Sequence, residues 1–301
     1  MKDNLPLVSI CCITYNHVPY IRQCLDGFMM QHTNFDFEVL IHDDASTDGT
    51  TEIIKEYEAK YPDIIKPLYE DENQWVKGRR GSAVFNFPRA KGKYIALCEG
   101  DDYWTDPLKL QKQVDFLQAN PEYVLCCHSF NEINNDNSHT WLPPQFDDII
   151  TLDKFIKGEC AIRTMTVMFC ASTLKLTKYM QYKYKVDLAL YFSMLSNGLG
   201  YYMRDNMAVY RKHDNGVWTS LNTISKWGMS FNIKYDLLKC ENNFQSAQYM
   251  YHFLLQGESR KVQMQYFDKI LVSLYIIGTH LGLRKVMKII KFILFRSQSN
   301  E

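Results

Sequence analysis

The chain lacks any apolar run long enough to cross a bilayer. Its longest charge-free run near the C-terminus, Ile270–Leu283, has 14 residues, where a spanning helix needs roughly 20. The opening MKDNLPLVSI has no long apolar stretch either, so no signal peptide is expected. Net charge is also missing: Lys+Arg and Asp+Glu both number 34, and nothing global calls for a nucleic-acid partner. None of the nine cysteines forms a C-x-x-C pair. Cys11-Cys12 and Cys126-Cys127 sit inside apolar runs and read as small core residues. A reducing cytoplasm, without disulfides or structural zinc, is the expected setting.

What is present begins with an ordinary globular composition, 46% hydrophobic and 23% charged, enough for a sizeable core. Charge is unevenly spread. Residues 260–301 hold eight Lys/Arg against Asp268 and Glu301, a net of +6, so the preceding residues carry −6. A basic tail on an acidic body implies an anionic surface as a partner.

The first half alternates strand and helix signals. LVSICCI, FEVLI, KYIALC and YVLCCHS are short, apolar and nearly uncharged, as in strands covered on both faces. IIKPLY carries Pro67 and can only be an edge strand. Between them YIRQCLDGFMMQ, GTTEIIKEYEAKYP and DPLKLQKQVDFLQANP have helical spacing. This is the βαβ alternation of a mixed, mostly parallel sheet flanked by helices. NEINNDNSHT reads as a polar loop in a long connection over 131–165. TVMFCAS and NMAVYRKH return to strand, with DLALYFSMLSNG helical between them. Beyond about residue 222 every segment looks helical. The expected division is a body over 1–220 and a helical appendage over 221–301.

Ligands of open α/β sheets bind beyond the carboxyl ends of the strands, near the switch in strand order. Polar residues collect there: Thr14-Tyr15-Asn16-His17, then HDDASTDGT (His42–Thr50), then Glu99-Gly100-Asp101-Asp102. Asp48 and Thr50 also suit plain helix caps. Three carboxylates in four residues repel unless a cation relieves them. Hard oxygen donors suit Mg²⁺ or Mn²⁺, which commonly bridge carboxylates to phosphates.

Taken in order, VSICCITYN, DDASTDGT, KGKYIALCEGDDYW and DPLKLQKQVDFL resemble the family 2 glycosyltransferases of the GT-A fold, over roughly residues 6–219. The resemblance implies a GT-A body and an inverting, metal-dependent transfer of sugar from a nucleotide-diphosphate donor, a UDP-sugar above all. The acceptor would be a hydroxyl of a glycan or lipid-linked molecule in surface-polysaccharide synthesis. Thr14, Tyr15 and Asn16 should line the base pocket, and Asp44 should accept from the base imide. Asp102 should hold the metal, with Asp101 near metal or ribose. Glu99 stands where many members have Asp, so its role stays open. Asp187, opening DLALYFSML, matches the general base, although the position also suits an N-cap. His213, in YRKHDNGVW, should join the metal or diphosphate, with Arg211 and Lys212 as phosphate partners. One basic residue among Arg79, Arg80, Arg89 and Lys91 should touch the nucleotide. Of Tyr103 and Trp104, one should pack and one should contact sugar. Trp218 either walls the sugar site or anchors its loop.

Two rivals were weighed. A sugar-nucleotide-binding module without turnover would not need Asp102 and Asp187 together. A nucleotidyltransferase would need a Gly-rich loop after the first strand, where TYNHVPYIRQC has no glycine. In the tail, Lys285, Lys288 and Lys291 recur every three residues beside Arg284, with apolar residues over the rest of the turn. The stretch 283–296 suits either a helix lying on an anionic membrane at the inner face of the cytoplasmic membrane, or a packed helix with a basic outer side.

Overall fold

The structure, a computed structural model, describes residues 5–79, 81–134, 137–141, 148–160, 162–213, 216, 221–256 and 266–295. The chain divides into two compact units. The first takes residues 1–151, 160–180 and 185–213; the second takes 152–159, 181–184 and 214–301. The boundary therefore falls at 213/214, and two short segments inside the expected body, 152–159 and 181–184, pack with the tail.

The first unit is built on one sheet. Its central path runs β3 (Ile65–Tyr69), β2 (Phe37–Asp43), β1 (Val8–Thr14), β4 (Tyr94–Leu97), β9 (Met168–Cys170), β6 (Tyr123–Asn134), β10 (Leu199–Lys212), β5 (Tyr103–Trp104). Strands β7 (Asn137–Trp141) and β8 (Ile149–Ile150) pair with β6 and β10. The β3-β2-β1-β4 block is parallel. Strand β9 runs antiparallel to both β4 and β6, while β6 and β10 are parallel. Pro67 lies on β3 at the sheet edge, where its missing N–H costs no ladder bond. NEINNDNSHT, expected as a loop, instead supplies the end of β6 and the start of β7. The ladder of β10 runs alongside β6 as far as Asn134, and that pairing imposes extended backbone on residues with little strand preference of their own.

Helices cover the sheet: α1 (Ile21–Met29), α2 (Thr50–Lys60), the short α3 (Ser82–Phe85), α4 (Lys109–Ala119), the short α6 (Thr173–Leu176) and α7 (Asp187–Leu195). Ile21, Leu25 and Phe28 on one side of α1 meet Val8, Ile10, Val39, Tyr94 and Trp104 in a single core. Cys12, Cys98 and Cys126 belong to that core as well. Helix α1 approaches closely because residue 27 is glycine. A Cβ there would lie 3.0 Å from the backbone N and O of Trp104.

The second unit is helical: α5 (Leu152–Lys157), α8 (Thr223–Glu241), α9 (Phe244–Leu255), α10 (Phe267–Leu281) and α11 (Leu283–Phe295). Its core gathers Trp227, Phe231, Leu238, Met250, Leu254, Ile270, Ile277, Val286 and Ile289. Asn243 and Ser246 form a reciprocal capping box on α9. Asp236 on α8 accepts from the backbone N–H of Lys183 and Tyr184, which ties segment 181–184 into this unit. The apolar side of α11 packs inward through Val286 and Ile289, so these residues are not available to lipid. Among the described residues, no helix is long and apolar enough to cross a membrane.

Beneath the sheet-edge loops lies a buried lysine. Lys109 is fully enclosed, with Nζ 2.7 Å from Gln113 Oε1 and 3.9 Å from the centroid of Trp104. Burial pushes its pKa down from 10.5 to about 7. Between those values the unfolded chain binds more protons than the folded one, so this residue makes stability rise with pH. Replacing it by methionine, Lys109→Met, removes that slope. The difference in Tm, variant minus wild type, should be largest near neutral pH and shrink by a few kcal/mol equivalent as pH rises toward the ordinary lysine range. A pH-independent difference would show that Lys109 keeps its ordinary proton affinity.

Candidate active site

The C-terminal ends of β1, β2 and β4 meet at one edge, where the strand order turns from β2 on one side of β1 to β4 on the other. Two residues there take up the left-handed region, Asn16 at φ 53° and Ala45 at φ 60°. Ala45 has no polar side chain to compensate, so the surrounding loop holds it there. The two loops are stitched to each other. Asn16 N–H donates to Ser46 Oγ at 2.9 Å and Asn16 Oδ1 accepts from Thr47 N–H at 2.8 Å. His17 N–H donates to Thr50 Oγ1, and Val18 N–H to Asp48 Oδ2. Asp48 and Thr50 thus tie the loop after β1 to the start of α2, whose N-cap is Gly49. Asp43 orders the same loop, accepting from the hydroxyls of Ser46 and Thr51 at 2.5 Å each. Asp44 accepts from the N–H groups of Gln74 (2.6 Å) and Trp75 (3.1 Å) and so clamps loop 73–75. Thr14 is buried, with Oγ1 lacking a hydrogen-bond partner, whereas Tyr15 is 45% exposed.

Gly100 N–H donates to Ile13 O, pinning the acidic loop to the end of β1. A Cβ on residue 100 would lie 2.8 Å from Thr14 Oγ1 and 3.0 Å from His17 Nδ1, so only glycine lets these loops touch. Glu99, Asp101 and Asp102 each offer an oxygen within 4.8 Å of the other two. Their environments differ. Asp102 accepts from the backbone N–H of Arg211 at 2.8 Å. Burial and the charges of Asp101 and Glu99 push its carboxyl well up. Glu99 is pushed up to about 8 by burial, then by the charges of Asp101 and Asp187. Asp101 goes the other way. Burial works against its charge, but a hydrogen bond with His213 Nε2 (3.0 Å to Oδ2) and the nearby His17 (3.9 Å) hold its carboxyl low. The second oxygen of Asp101, Oδ1, is buried without a hydrogen-bond partner.

A buried Asp101 oxygen without a hydrogen-bond partner, within 4.8 Å of oxygens of Glu99 and Asp102, is a donor set that suits a divalent cation. Hard oxygen donors at this spacing fit Mg²⁺ or Mn²⁺. Asp101, Asp102 and Glu99 would hold it, and His213 stands one hydrogen bond away.

Asp187 is the exposed first residue of α7, with Oδ1 accepting from Leu188 N–H at 2.7 Å. Its charge is felt by Glu99 and by the buried phenol of Tyr191, which also feels Glu99. Asp187 is thus near enough to the acidic loop for its charge to act on Glu99.

Several expected contacts have other duties. Trp104 is 2% exposed; its indole N–H donates to Met165 O at 2.9 Å and its ring packs edge-on against Phe28. Packed in this way, it supports the acidic loop from below. Tyr103 has the Arg211 guanidinium over its ring at 4.3 Å. The Arg89 guanidinium donates to Lys66 O and Ile41 O, each at 2.8 Å, and to Asn86 Oδ1. Those carbonyls belong to adjacent strands, which the guanidinium braces. Arg211 donates to Asp101 O at 2.6 Å and to Gln23 Oε1, and Lys212 pairs with Glu132. Both stand at the site but are already engaged. Trp218 and Arg80 lie outside the described residues.

The sequence reading assigned no role to His17, Tyr20 or Gln23. His17 was signalled by its place in the strand-end run. Tyr20, 5.0 Å from the His213 ring, and Gln23, the partner of Arg211, had no sequence signal, because their partners lie almost two hundred residues away.

Comparison with known proteins adds relatives. The sequence model of "Glycosyl transferase family 2" matches residues 9–177. "Uncharacterized protein Rv1520" of Mycobacterium tuberculosis is 36% identical over 228 residues, 72% of this chain and 62% of that protein. The chain therefore spans under two thirds of that relative's length. TuaG of Bacillus subtilis, whose name places it in teichuronic acid biosynthesis, is 30% identical over 72% of this chain and 83% of its own length. The Escherichia coli "UDP-Glc:alpha-D-GlcNAc-diphosphoundecaprenol beta-1,3-glucosyltransferase WfaP" is 31% identical over 65% of this chain and 72% of its own. Among solved structures, S. aureus TarS with UDP-GlcNAc superposes with a TM-score of 0.65 at 16% identity, covering 90% of this chain and 81% of that one. The mannosyltransferase PcManGT of Pyrobaculum calidifontis, with GDP-Man and Mn²⁺, gives 0.54 at 15% identity, covering 98% and 88%. At these identities the structures establish the fold, the curled mostly parallel sheet of the GT-A type.

Removing the orphaned carboxylate tests the cation site. Asp101→Asn should weaken Mn²⁺ binding, read from the spectrum of the free ion in electron paramagnetic resonance, by roughly 10-fold or more. Unchanged Mn²⁺ affinity would take Asp101 out of the ligand set.

Proposed function

Because the chain belongs to glycosyl transferase family 2, we propose that it is an inverting, divalent-metal-dependent glycosyltransferase of cell-surface polysaccharide synthesis. The donor is a nucleoside-diphosphate sugar, a UDP-sugar in first place, and the acceptor is a hydroxyl of a glycan or lipid-linked saccharide. The observation that carries the reading is the Glu99-Asp101-Asp102 cluster at the strand-switch edge, with the charge of the exposed Asp187 acting on Glu99. The names of TuaG and WfaP support the polysaccharide setting, and WfaP supports a diphospholipid-linked acceptor. The ligands of TarS and PcManGT support a nucleotide-sugar donor, and that of PcManGT a divalent metal.

In this reading Thr14, Tyr15 and Asn16 line the base pocket. Asp44, whose oxygens each keep a further lone pair beside their backbone partners, accepts from the base imide. Bound Mg²⁺ or Mn²⁺ supplies positive charge for the departing diphosphate. Asp187 takes the proton from the acceptor hydroxyl as that oxygen attacks C1 from the face opposite the diphosphate, which inverts the anomeric centre. Arg211 keeps Asp101 and Asp102 in place during this step through its backbone N–H and guanidinium. A module that only binds sugar nucleotides would need no exposed carboxylate beside the cation loop. Buried thiols and a nucleotide-sugar donor fit a reducing cytoplasm. A lipid-linked acceptor implies work at a membrane surface.

A thermal-shift screen of nucleotide sugars with and without Mn²⁺ tests the donor class. Stabilisation by at least one UDP-sugar, dependent on Mn²⁺, is expected; indifference to every nucleotide sugar would end the reading. Asp187→Asn should keep that stabilisation yet lose transfer by roughly 10²-fold or more. Near-wild-type transfer would move the base to another residue.

A further inference from the structure

The sequence left residues 283–296 open to lipid contact or to inward packing, and the inward residues of α11 are used by the helical core. Val286 and Ile289 are buried there, with Ile290 and Ile293 packed against them. Outward, α11 shows Leu283, 77% exposed, and Met287, beside exposed Arg284, Lys288 and Lys291. Lys285 instead lies over the Tyr251 ring of α9 at 4.9 Å. The larger apolar surface is on the preceding helix. Ile270, Ser273 and Ile277 of α10 point inward, whereas Phe267, Leu271, Val272 and Tyr275 are exposed, Tyr275 at 74%. Positions i, i+4, i+5 and i+8 share one side of a helix. A row of four large apolar side chains facing water marks an interaction surface.

We propose that the outward side of α10, together with Leu283, Met287 and the basic residues of α11, is a docking surface for an anionic lipid bilayer. Helix α10 supplies the apolar wedge and α11 supplies the charge. Complementarity selects this occupant. Segment 283–295 has four basic residues and no acidic one. Two copies meeting through a two-fold axis would set these like charges against each other. Anionic headgroups neutralise them, and Tyr275 has the ring-and-hydroxyl character of residues that settle at a membrane interface. The surface deepens the function proposed above and rests on that reading for its purpose, since a lipid-linked acceptor would sit in the same bilayer.

Co-flotation of the full chain with vesicles of phosphatidylethanolamine and phosphatidylglycerol, against vesicles of phosphatidylcholine alone, tests it without donor or acceptor. The wild type should float with the anionic vesicles, and less so as salt is raised. Leu271→Ser/Tyr275→Ser and Lys288→Gln/Lys291→Gln should each lower binding by roughly 10-fold or more. Their thermal melts and their nucleotide release with a soluble acceptor should match the wild type. No flotation of the wild type overturns the proposal, as does equal binding by the folded variants. A wild-type dimer that Leu271→Ser/Tyr275→Ser dissociates, with no vesicle binding, assigns the patch to a second copy and also overturns it. Should a variant fail to fold, the wild-type series decides alone: binding indifferent to salt and headgroup overturns the proposal. Because vesicle binding and sugar transfer are read separately, either can fail without the other.

Discussion

Three carboxyl groups within 4.8 Å of one another at the end of β4 are the constraint around which the first unit is arranged. In water such a cluster would spread apart, and buried it repels and loses hydration. It stays together because Asp102 and Asp101 are held from different directions. The N–H of Arg211 comes from β10, His213 from the end of that strand, and His17 from the loop after β1. Gly100 lets the β1 loop close over the cluster without a clash. Only an edge where distant strands end side by side can bring these groups together.

The same need for support explains why some residues that look like ligand contacts are braces. Trp104 anchors the acidic loop with its indole N–H and buries its ring beside α1, over the enclosed amine of Lys109. Gln113 then links Lys109 to Thr166 O in the segment leading into β9. Arg89 joins the carbonyls of two neighbouring strands. An aromatic or a guanidinium beside a binding loop has the chemistry for a ligand. Whether it is free to use it depends on which backbone carbonyls lie within reach.

The helical unit poses a similar question of direction. The segment 283–295 has apolar residues at helical spacing, and that spacing serves inward packing and lipid contact alike. Packing claims Val286 and Ile289, while α10, which as a sequence reads only as helical, turns Phe267, Leu271 and Tyr275 outward. A wheel of residues names the faces of a helix. Its neighbours decide which face is covered.

The strands β1, β2 and β4, the helices between them, and the polar run after each strand were legible in the chain, because apolar periodicity and strand-end carboxylates are local signals. So was the position of Asp187 at a helix start. The antiparallel β9 between β4 and β6 and the extension of β6 and β7 through an asparagine-rich stretch were not legible, since pairing with a distant strand created them. Nor were His17, Tyr20 and Gln23, whose roles come from residues far along the chain. The local pattern of the sequence determined which elements form and which residue types reach the edge of the sheet. Only the tertiary structure decided which of those side chains remain open to a ligand and which hold the loops, because that depends on contacts between segments with no relation in sequence.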